Sequence, residues 1–468
     1  MESKFKHLYD RLPVTIQNFV LTGYNVLLDR ERYGGRYNEY RNFLERSQWF
    51  NEEQLVDYQN RQLSSLIKYT YEKVPYYRRI MDARKLKPKD IGSQEDLIKL
   101  PVLTKEDIRA NFSGLLSTDF NLKSVKRGYT SGTTGTPLEI CYDDRVTYMT
   151  YAALDRQYQW AETKLGKLGD KIAVLRGNVI VPLYQKHPPF WRYNYYHRQI
   201  LLSAFHLSPA NLPYYVEELR RYQPRILDGY PSTLYILAKY LKNIGEKLIL
   251  HAVISSSETL YDFQRETIEE SFGCKVYDYF SSAERVLFST ECDRHAGHHI
   301  VSEYGITEVL NNDQESVSKG ETGTLVATSL HNYAMPMIRY VTNDMSALKQ
   351  QTCACGRCLP LMEDVTTKAE DLITLKDGRL ISPSVLTHPF KPITSIVESQ
   401  VIQESLDIVR IKVVPGPEYS QKDEQTLVDG LQERLGTGIK VLVDQVDQLE
   451  RSKSGKFRWV ISKVDLGI

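Results

Sequence analysis

The stretch Tyr129–Pro137, "YTSGTTGTP", packs two glycines, four threonines and a serine into the space before a proline. It lies between two strand-like pieces, Ser124–Tyr129 and Pro137–Tyr142, so it reads as the tight loop of a hairpin and not as a linker between domains. Gly132 and Gly135 free the backbone to aim successive N–H groups in one direction, the arrangement by which a backbone nest binds an anion. The hydroxyls of Thr130, Ser131, Thr133 and Thr134 each add a donor. Both properties suit phosphate. A plain surface turn has the same composition, and the rest of the chain decides between the two.

At 468 residues the chain exceeds what one hydrophobic core serves, so two or more domains are expected. It is 41% hydrophobic and 25% charged, the balance of a soluble globular protein. A net charge of +1 excludes nucleic acid as the main partner, because phosphate-backbone binding needs a basic excess. No segment approaches the ~18–20 uncharged apolar residues of a membrane helix, so no integral membrane segment is expected. The opening 28 residues carry acids and lack a long apolar core, unlike a signal peptide. Their apolar run is broken by Asn18, Thr22 and Asn25. It reads as an amphipathic helix packed on its own domain, with loose contact to a membrane surface as the lesser option. A cytoplasmic setting follows, with the six cysteines as thiols. The 32 tyrosines, many within Tyr148–Tyr235, suit a cleft lining and a surface equally.

The first hundred residues read as largely helical; "EEQLVDYQNRQLSSLIKYTYEKV" has helical apolar spacing and stops before Pro75. From about Lys171 strands and helices alternate. "KIAVLR", "RILDGY", "LILHAVISSS" and "CKVYDYF" are strands, and "NLPYYVEELRRY", a segment from Ser232, and "TLYDFQRETIEESF" are helices. This alternation predicts an α/β fold with a largely parallel sheet and a site at the carboxyl ends of its strands, where "DGYPS", "SSSE" and "FSSAE" stand. "TGTLVATSL" and "MPMIRYVTND" read as further strands. "EDLITLKDGRLISP" reads as a hairpin, and a strand, a helix and a strand complete a small α+β unit. Cys353, Cys355 and Cys358 lie close together, and Cys292 precedes His295, His298 and His299. In a reducing compartment such soft ligands suggest tetrahedral zinc, against the alternative of free thiols in a glycine-containing turn.

"YTSGTTGTP" resembles the phosphate-binding signature of adenylate-forming enzymes: acyl-CoA synthetases, peptide-synthetase adenylation domains and luciferases. Four further segments follow in the family's order: "YFSSAERV", "IRYVTND", "TKAEDL" and "RSKSGKFR". "LDGYPSTL", "ECDRHAGHH", "CACGRC" and the ending "SGKFR" are similar to the phenylacetate–CoA ligase branch, and especially to its capsular-polysaccharide-associated relatives. The resemblance implies a large N-terminal ATP- and acid-binding domain, residues 1–369, with mixed, largely parallel sheets and a cysteine/histidine insert around 292–358. It also implies a small mobile α+β domain, residues 370–468, that carries the catalytic lysine. The implied activity is ATP- and magnesium-dependent activation of a small carboxylic acid as an acyl-adenylate, with release of pyrophosphate and transfer of the acyl group to coenzyme A. The alternatives are an amine or hydroxyl acceptor in capsular or surface polysaccharide synthesis, and a non-catalytic nucleotide-binding homologue. A homodimer is compatible with any of these.

Two anions must meet in such a reaction, so the protein has to supply positive charge and hydrogen-bond donors at phosphorus. By the resemblance, Thr130, Ser131, Gly132, Thr133, Thr134, Gly135 and Thr136 hold the β- and γ-phosphates, and Lys456 bridges carboxylate and α-phosphate. Phe280, Ser281, Ser282 and Ala283 meet adenine, Glu284 holds magnesium, and Asp344 takes the ribose hydroxyls. Ser257 and Glu258 join them with less support, and Asp344 also fits an ordinary turn. Thr367-Lys368 stands where the family has Gly-Arg, and lysine offers a point charge in place of a planar fork. The hinge then falls at Glu370 or Asp371. Relatives' spacing favours Cys292 and His299 as zinc ligands, completed by Cys353 with Cys355 or Cys358, in a structural role.

Overall fold

The computed structural model describes residues 3–123, 125–129, 138–166, 169–311, 313–365, 372–377, 379–381, 383–393, 395–436, 438–449 and 459–464. The expected hairpin is present. Strands β1 (Lys126–Tyr129) and β2 (Glu139–Tyr142) pair antiparallel, with Tyr129 opposite Glu139, and they flank the small-residue loop. The loop residues 130–137, and with them every phosphate-loop residue singled out above, lie outside the described residues.

A nine-stranded sheet forms the centre of the molecule. Its strands are β3 (Ile172–Arg176), β4 (Trp191–Asn194), β5 (Gln199–Ser203), β6 (Ile226–Gly229), β7 (Ala252–Ser256), β8 (Lys275–Ser281), β9 (Phe288–Thr290), β10 (His298–Ile300) and a late strand, Leu361–Met362. Strands β5, β3, β6, β7 and β8 run parallel, while β4, β9, β10 and Leu361–Met362 are antiparallel flanks. The crossovers are the helices Leu212–Tyr222, Pro231–Asn243 and Asp262–Phe272. The second begins one residue ahead of Ser232 because Pro231 occupies its first turn, where a missing N–H costs nothing. Strands buried on both faces explain the unbroken apolar runs in the sequence. On one face Leu175, Leu227, Leu237, Val253 and Phe272 share a core, and on the other Ile172, Ile226 and Ile254 meet Tyr158 of the helix Asp144–Trp160.

Two smaller sheets follow. Strands β11 (Gly305–Leu310), β12 (Thr322–Ser329) and β13 (Tyr340–Ala347) form an antiparallel sheet whose core joins the helix Glu52–Lys73 through Leu63, Leu66, Ile67 and Tyr340. The run Met335–Arg339, expected as strand, lies before β13: Arg339 takes a left-handed φ of 54°, which breaks an extended chain. With Leu361–Met362 as β14, the hairpin β15 (Ile373–Thr374) and β16 (Leu380–Ile381) comes next. Then β17 (Ile396–Ser405), β18 (Ile408–Pro415), β19 (Lys440–Gln445) and β20 (Val460–Ser462) form a four-stranded sheet covered by the helix Gln421–Leu435. Trp459 is fully buried at its centre.

The helix Val14–Tyr33 packs on the domain as expected, through polar side chains as well as Leu21. Gln17 and Asn18 are buried, while Phe19 is 63% and Leu27 68% exposed. The reason is the open edge of β4. Asn18 Oδ1 accepts from the Tyr193 amide at 3.0 Å, Thr22 Oγ1 accepts from the Tyr195 amide at 3.2 Å, and Gln17 accepts from the Arg192 side chain. Polar side chains thus cover an edge strand whose N–H groups would otherwise be unpaired. No helix among the described residues is long and apolar enough to cross a membrane.

One buried ion pair ties the helices Tyr37–Ser47 and Asp144–Trp160 to the turn before β11. Glu303, fully buried, accepts from Arg156 Nη1 at 2.9 Å and from the hydroxyl of Ser47. Glu303→Ala leaves the Arg156 guanidinium uncompensated in the interior, a loss of about 3–5 kcal/mol. The variant is expected to melt several degrees lower by circular dichroism, and Arg156→Met combined with Glu303→Leu is expected to recover much of that loss. An unchanged melting temperature in the single variant would refute this role.

Candidate functional site at the carboxyl ends of the parallel strands

Strands β3, β6, β7 and β8 end together, and the segments that leave them carry the polar residues of the site: Gly177, Tyr230–Ser232, Ser257–Glu258 and Ser282–Arg285. Ser257 and Arg285 have φ of 73° and 54°, a left-handed conformation uncommon outside glycine and typical of strained functional loops. Ser232 Oγ, Ser282 Oγ and Arg285 Nη1 are buried and have no hydrogen-bond partner among the described residues. Buried polar atoms are nearly always paired, so three unpaired ones at one edge of a sheet make that edge a candidate ligand site. Glu258, grouped above with the nucleotide residues, accepts from the Ser232 amide at 3.1 Å, at the positive end of the helix Pro231–Asn243.

The expected adenine segment forms the end of β8 and its turn. Phe280 and Ser281 pair with Ser289 and Phe288 of β9, and Ser282 and Ala283 open the turn. Glu284 follows, buried, and accepts from Tyr340 Oη at 2.6 Å. Tyr340 begins β13, four residues before Asp344. Burial, and then the charge of Glu284, hold its hydroxyl well above the ordinary phenol range, with Asp344 adding in the same sense. The next residue after Glu284, Arg285, lays its guanidinium 4.9 Å from the centre of the Tyr142 ring, at the end of β2. Tyr142 in turn lies over Gly128, where any Cβ would collide with its hydroxyl. The end of the hairpin away from the small-residue loop therefore stands beside Arg285. Lys368, Glu370, Asp371 and Lys456 lie outside the described residues.

One cluster was missed from the sequence. Arg176 closes β3 and donates from Nε and Nη2 to Asp228 Oδ1 at 2.9 and 2.5 Å, while Tyr158 donates to Asp228 Oδ2 at 2.8 Å. Arg176 Nη2 also reaches Tyr279 Oη at 3.2 Å. Burial works against the guanidinium charge, but Asp228 and Tyr279 outweigh it and keep the group firmly cationic. An acid inside "RILDGY" and an arginine ending "KIAVLR" were the available signal, since charges in buried strands need each other.

The cysteine/histidine expectation resolves into four residues. Sγ of Cys292, Cys353 and Cys355 and a ring nitrogen of His299 all lie within 4.8 Å of one another. Cys292 and Cys353 are 3.6 Å apart, and His299 Nε2 stands 3.3 Å from Cys292 and 3.5 Å from Cys355. Two thiolates on a tetrahedral zinc, each at about 2.3 Å, sit about 3.8 Å apart, so the spacing fits. Burial brings His299 down to about 4, which keeps its imidazole neutral. Cys358 is exposed and does not join the four, because the turn at Gly356 carries it outward. His295 and His298 do not join either. His298 faces the other side of β10, toward Asp278 at 3.5 Å and Asp364 at 3.3 Å, and Asp278 is pushed up to about 7 by burial.

Residues 373–463 match the family model of the CapK C-terminal domain. The chain is 26% identical to Protein CapK of Staphylococcus aureus over 98% of its own length and 99% of the relative's. It is 25% identical to the phenylacetate–coenzyme A ligase of Thermus thermophilus, covering 87% and 96%. Among solved structures, 2-hydroxyisobutyryl-CoA ligase in its postadenylation state superposes with a TM-score of 0.57 at 19% identity, covering 90% of this chain and 92% of that one, a likeness of fold. The chain is a homologue of CapK and of the phenylacetate–coenzyme A ligases, built on the fold of the adenylate-forming ligases.

Proposed function

We propose that this protein is an AMP-forming ligase that activates a carboxylic acid with ATP as an acyl-adenylate and passes the acyl group to coenzyme A. The observation that carries the reading is the buried Glu284–Tyr340 hydrogen bond at the strand-end edge, among unpaired buried polar atoms. In this reading the loop Thr130–Thr136 cradles the β- and γ-phosphates, Asp344 accepts from the ribose hydroxyls, and Phe280–Ala283 flank the base. Glu284, oriented by Tyr340, is the ligand for a magnesium ion that neutralises phosphate charge. Lys456 donates to the carboxylate and α-phosphate as they join. A junction at 369/370, with Lys368–Asp371 as hinge, lets the small domain bring Lys456 in for one step and withdraw it for the next. The second reading of the acceptor is an amine or hydroxyl in surface polysaccharide synthesis, kept open by the similarity to CapK.

The quartet Cys292, His299, Cys353 and Cys355 we assign to a structural zinc. Three thiolates and an imidazole are the donor set zinc takes in closed sites, and four protein ligands leave no open position for chemistry. The metal would join the loop around residue 355 to β10 and so brace the outer end of the large sheet.

Lys456→Ala is expected to lower acid-dependent pyrophosphate exchange by ~10²–10³ while calorimetric ATP binding stays near wild type. Exchange at the wild-type rate would remove the lysine's role. Gly132→Val is expected to raise the apparent KM for ATP far more than Thr133→Ala, since the first crowds the backbone approach and the second deletes one donor of several. Equal, negligible effects would make the loop a plain turn. Metal analysis of chelator-washed protein is expected to find about one zinc per chain, lost together with several degrees of melting temperature in Cys353→Ser/Cys355→Ser. Zinc-free wild-type protein would end that assignment alone.

A further inference from the structure

Arg176 sits in an inner strand of the sheet, between β5 and β6, yet its side chain keeps 19% of its surface exposed. That opening lies at the carboxyl end of β3, on the edge shared with Ser232, Ser257 and Glu284. The guanidinium is held on three sides. Asp228 grips Nε and Nη2, and the rings of Tyr230 and Tyr279 each lie 5.8 Å from the central carbon. Gly177 follows at once, where an added Cβ would stand 3.0 Å from Val385 and 3.4 Å from Tyr230 Oη, so the chain next to the arginine is closely packed. Asp228 is satisfied, with one oxygen on Arg176 and the other on Tyr158. Arg176 Nη1 makes no hydrogen bond among the described residues and stays open to solvent, and that nitrogen can only donate.

We propose that the acid this protein takes carries a neutral oxygen acceptor, a hydroxyl or a carbonyl, besides its reactive carboxylate, and that Arg176 Nη1 selects it. Only the location and the naming of the ligand as an acid rest on the adenylation reading. The charge balance decides the class. Arg176 and Asp228 already cancel, so a second carboxylate beside Arg176 would face Asp228 without a cation of its own. A wholly apolar acid would cover the Nη1 donors and leave them unpaired, which costs more than the contact returns. A pair that merely tied β3 to β6 would work as well with the whole guanidinium closed over.

The test uses the full-length protein and three matched acid pairs in which a hydroxyl replaces a methyl: lactate and isobutyrate, 3-hydroxybutyrate and 3-methylbutyrate, 4-hydroxyphenylacetate and 4-methylphenylacetate. Binding is read by calorimetry and saturation-transfer NMR, and pyrophosphate exchange is followed in parallel. In at least one pair the hydroxyl member is expected to bind about tenfold to a hundredfold tighter, the range for a hydrogen bond to a charged group. Arg176→Met is expected to abolish that margin, read as the hydroxyl-to-methyl affinity ratio within the variant, and Arg176→Lys to restore part of it. The inference falls if methyl members bind as well in every pair, if no member binds, or if the margin survives in Arg176→Met. The wild-type comparison decides against it even where a variant does not fold. Selective binding of a hydroxy acid without any exchange would remove the adenylation reading and leave this inference standing. Exchange with apolar members alone would do the reverse.

Discussion

A parallel sheet covered on both faces meets solvent only where its strands end, and in this protein that constraint organises everything else. The helices Leu212–Tyr222, Pro231–Asn243 and Asp262–Phe272 pack one face, and the helix Asp144–Trp160 packs the other. Every forward strand therefore delivers its last residues to the same edge. Arg176, Tyr230, Ser257 and Glu284 arrive there from four separate strands. The smaller sheet adds Tyr340 from β13, and the hairpin β1–β2 adds Tyr142 beneath Arg285. A site built this way draws its geometry from the rigid sheet and its chemistry from the loops.

Burying charge beside that edge requires partners, and the partners come from far along the chain. Glu284 has the Tyr340 hydroxyl, Asp228 has Arg176 and Tyr158, and Glu303 has Arg156 and Ser47. Removing one member of such a set costs more than the set contributes, because the remaining group is left desolvated and alone. The same logic governs the edge of β4. There the N-terminal helix turns Gln17, Asn18 and Thr22 inward and leaves Phe19 and Leu27 outside, since unpaired strand amides cost more than exposed apolar carbon.

The four-residue thiol and imidazole cluster stands at the opposite flank of the sheet, two strands beyond β8. Cys292 leaves β9, His299 lies within β10, and Cys353 and Cys355 belong to the loop that leads into β14, which pairs with β10. Trp160 packs edge-on against His299 at 5.5 Å and closes the cluster from the helix side. A metal held there would tie together short strands that have few backbone bonds of their own.

The sequence by itself determined the α/β alternation, the hairpin around "YTSGTTGTP" and the polar clusters at strand ends, because these depend on local periodicity and on glycine and proline placement. It also determined which residue types could serve phosphate and zinc. It could not separate Cys355 from Cys358, or His299 from His298. Neighbouring residues on a strand face opposite sides, and only the pairing of β10 with β14 decides which side meets the cysteines. Nor could it place Tyr340 under Glu284, join Arg176 to Asp228 or turn Gln17 of the first long helix toward Arg192. Those contacts span from 52 residues, between Arg176 and Asp228, to 175, between Gln17 and Arg192. They exist only because separate layers close on one another, and no local pattern encodes which distant partner a buried charge will find.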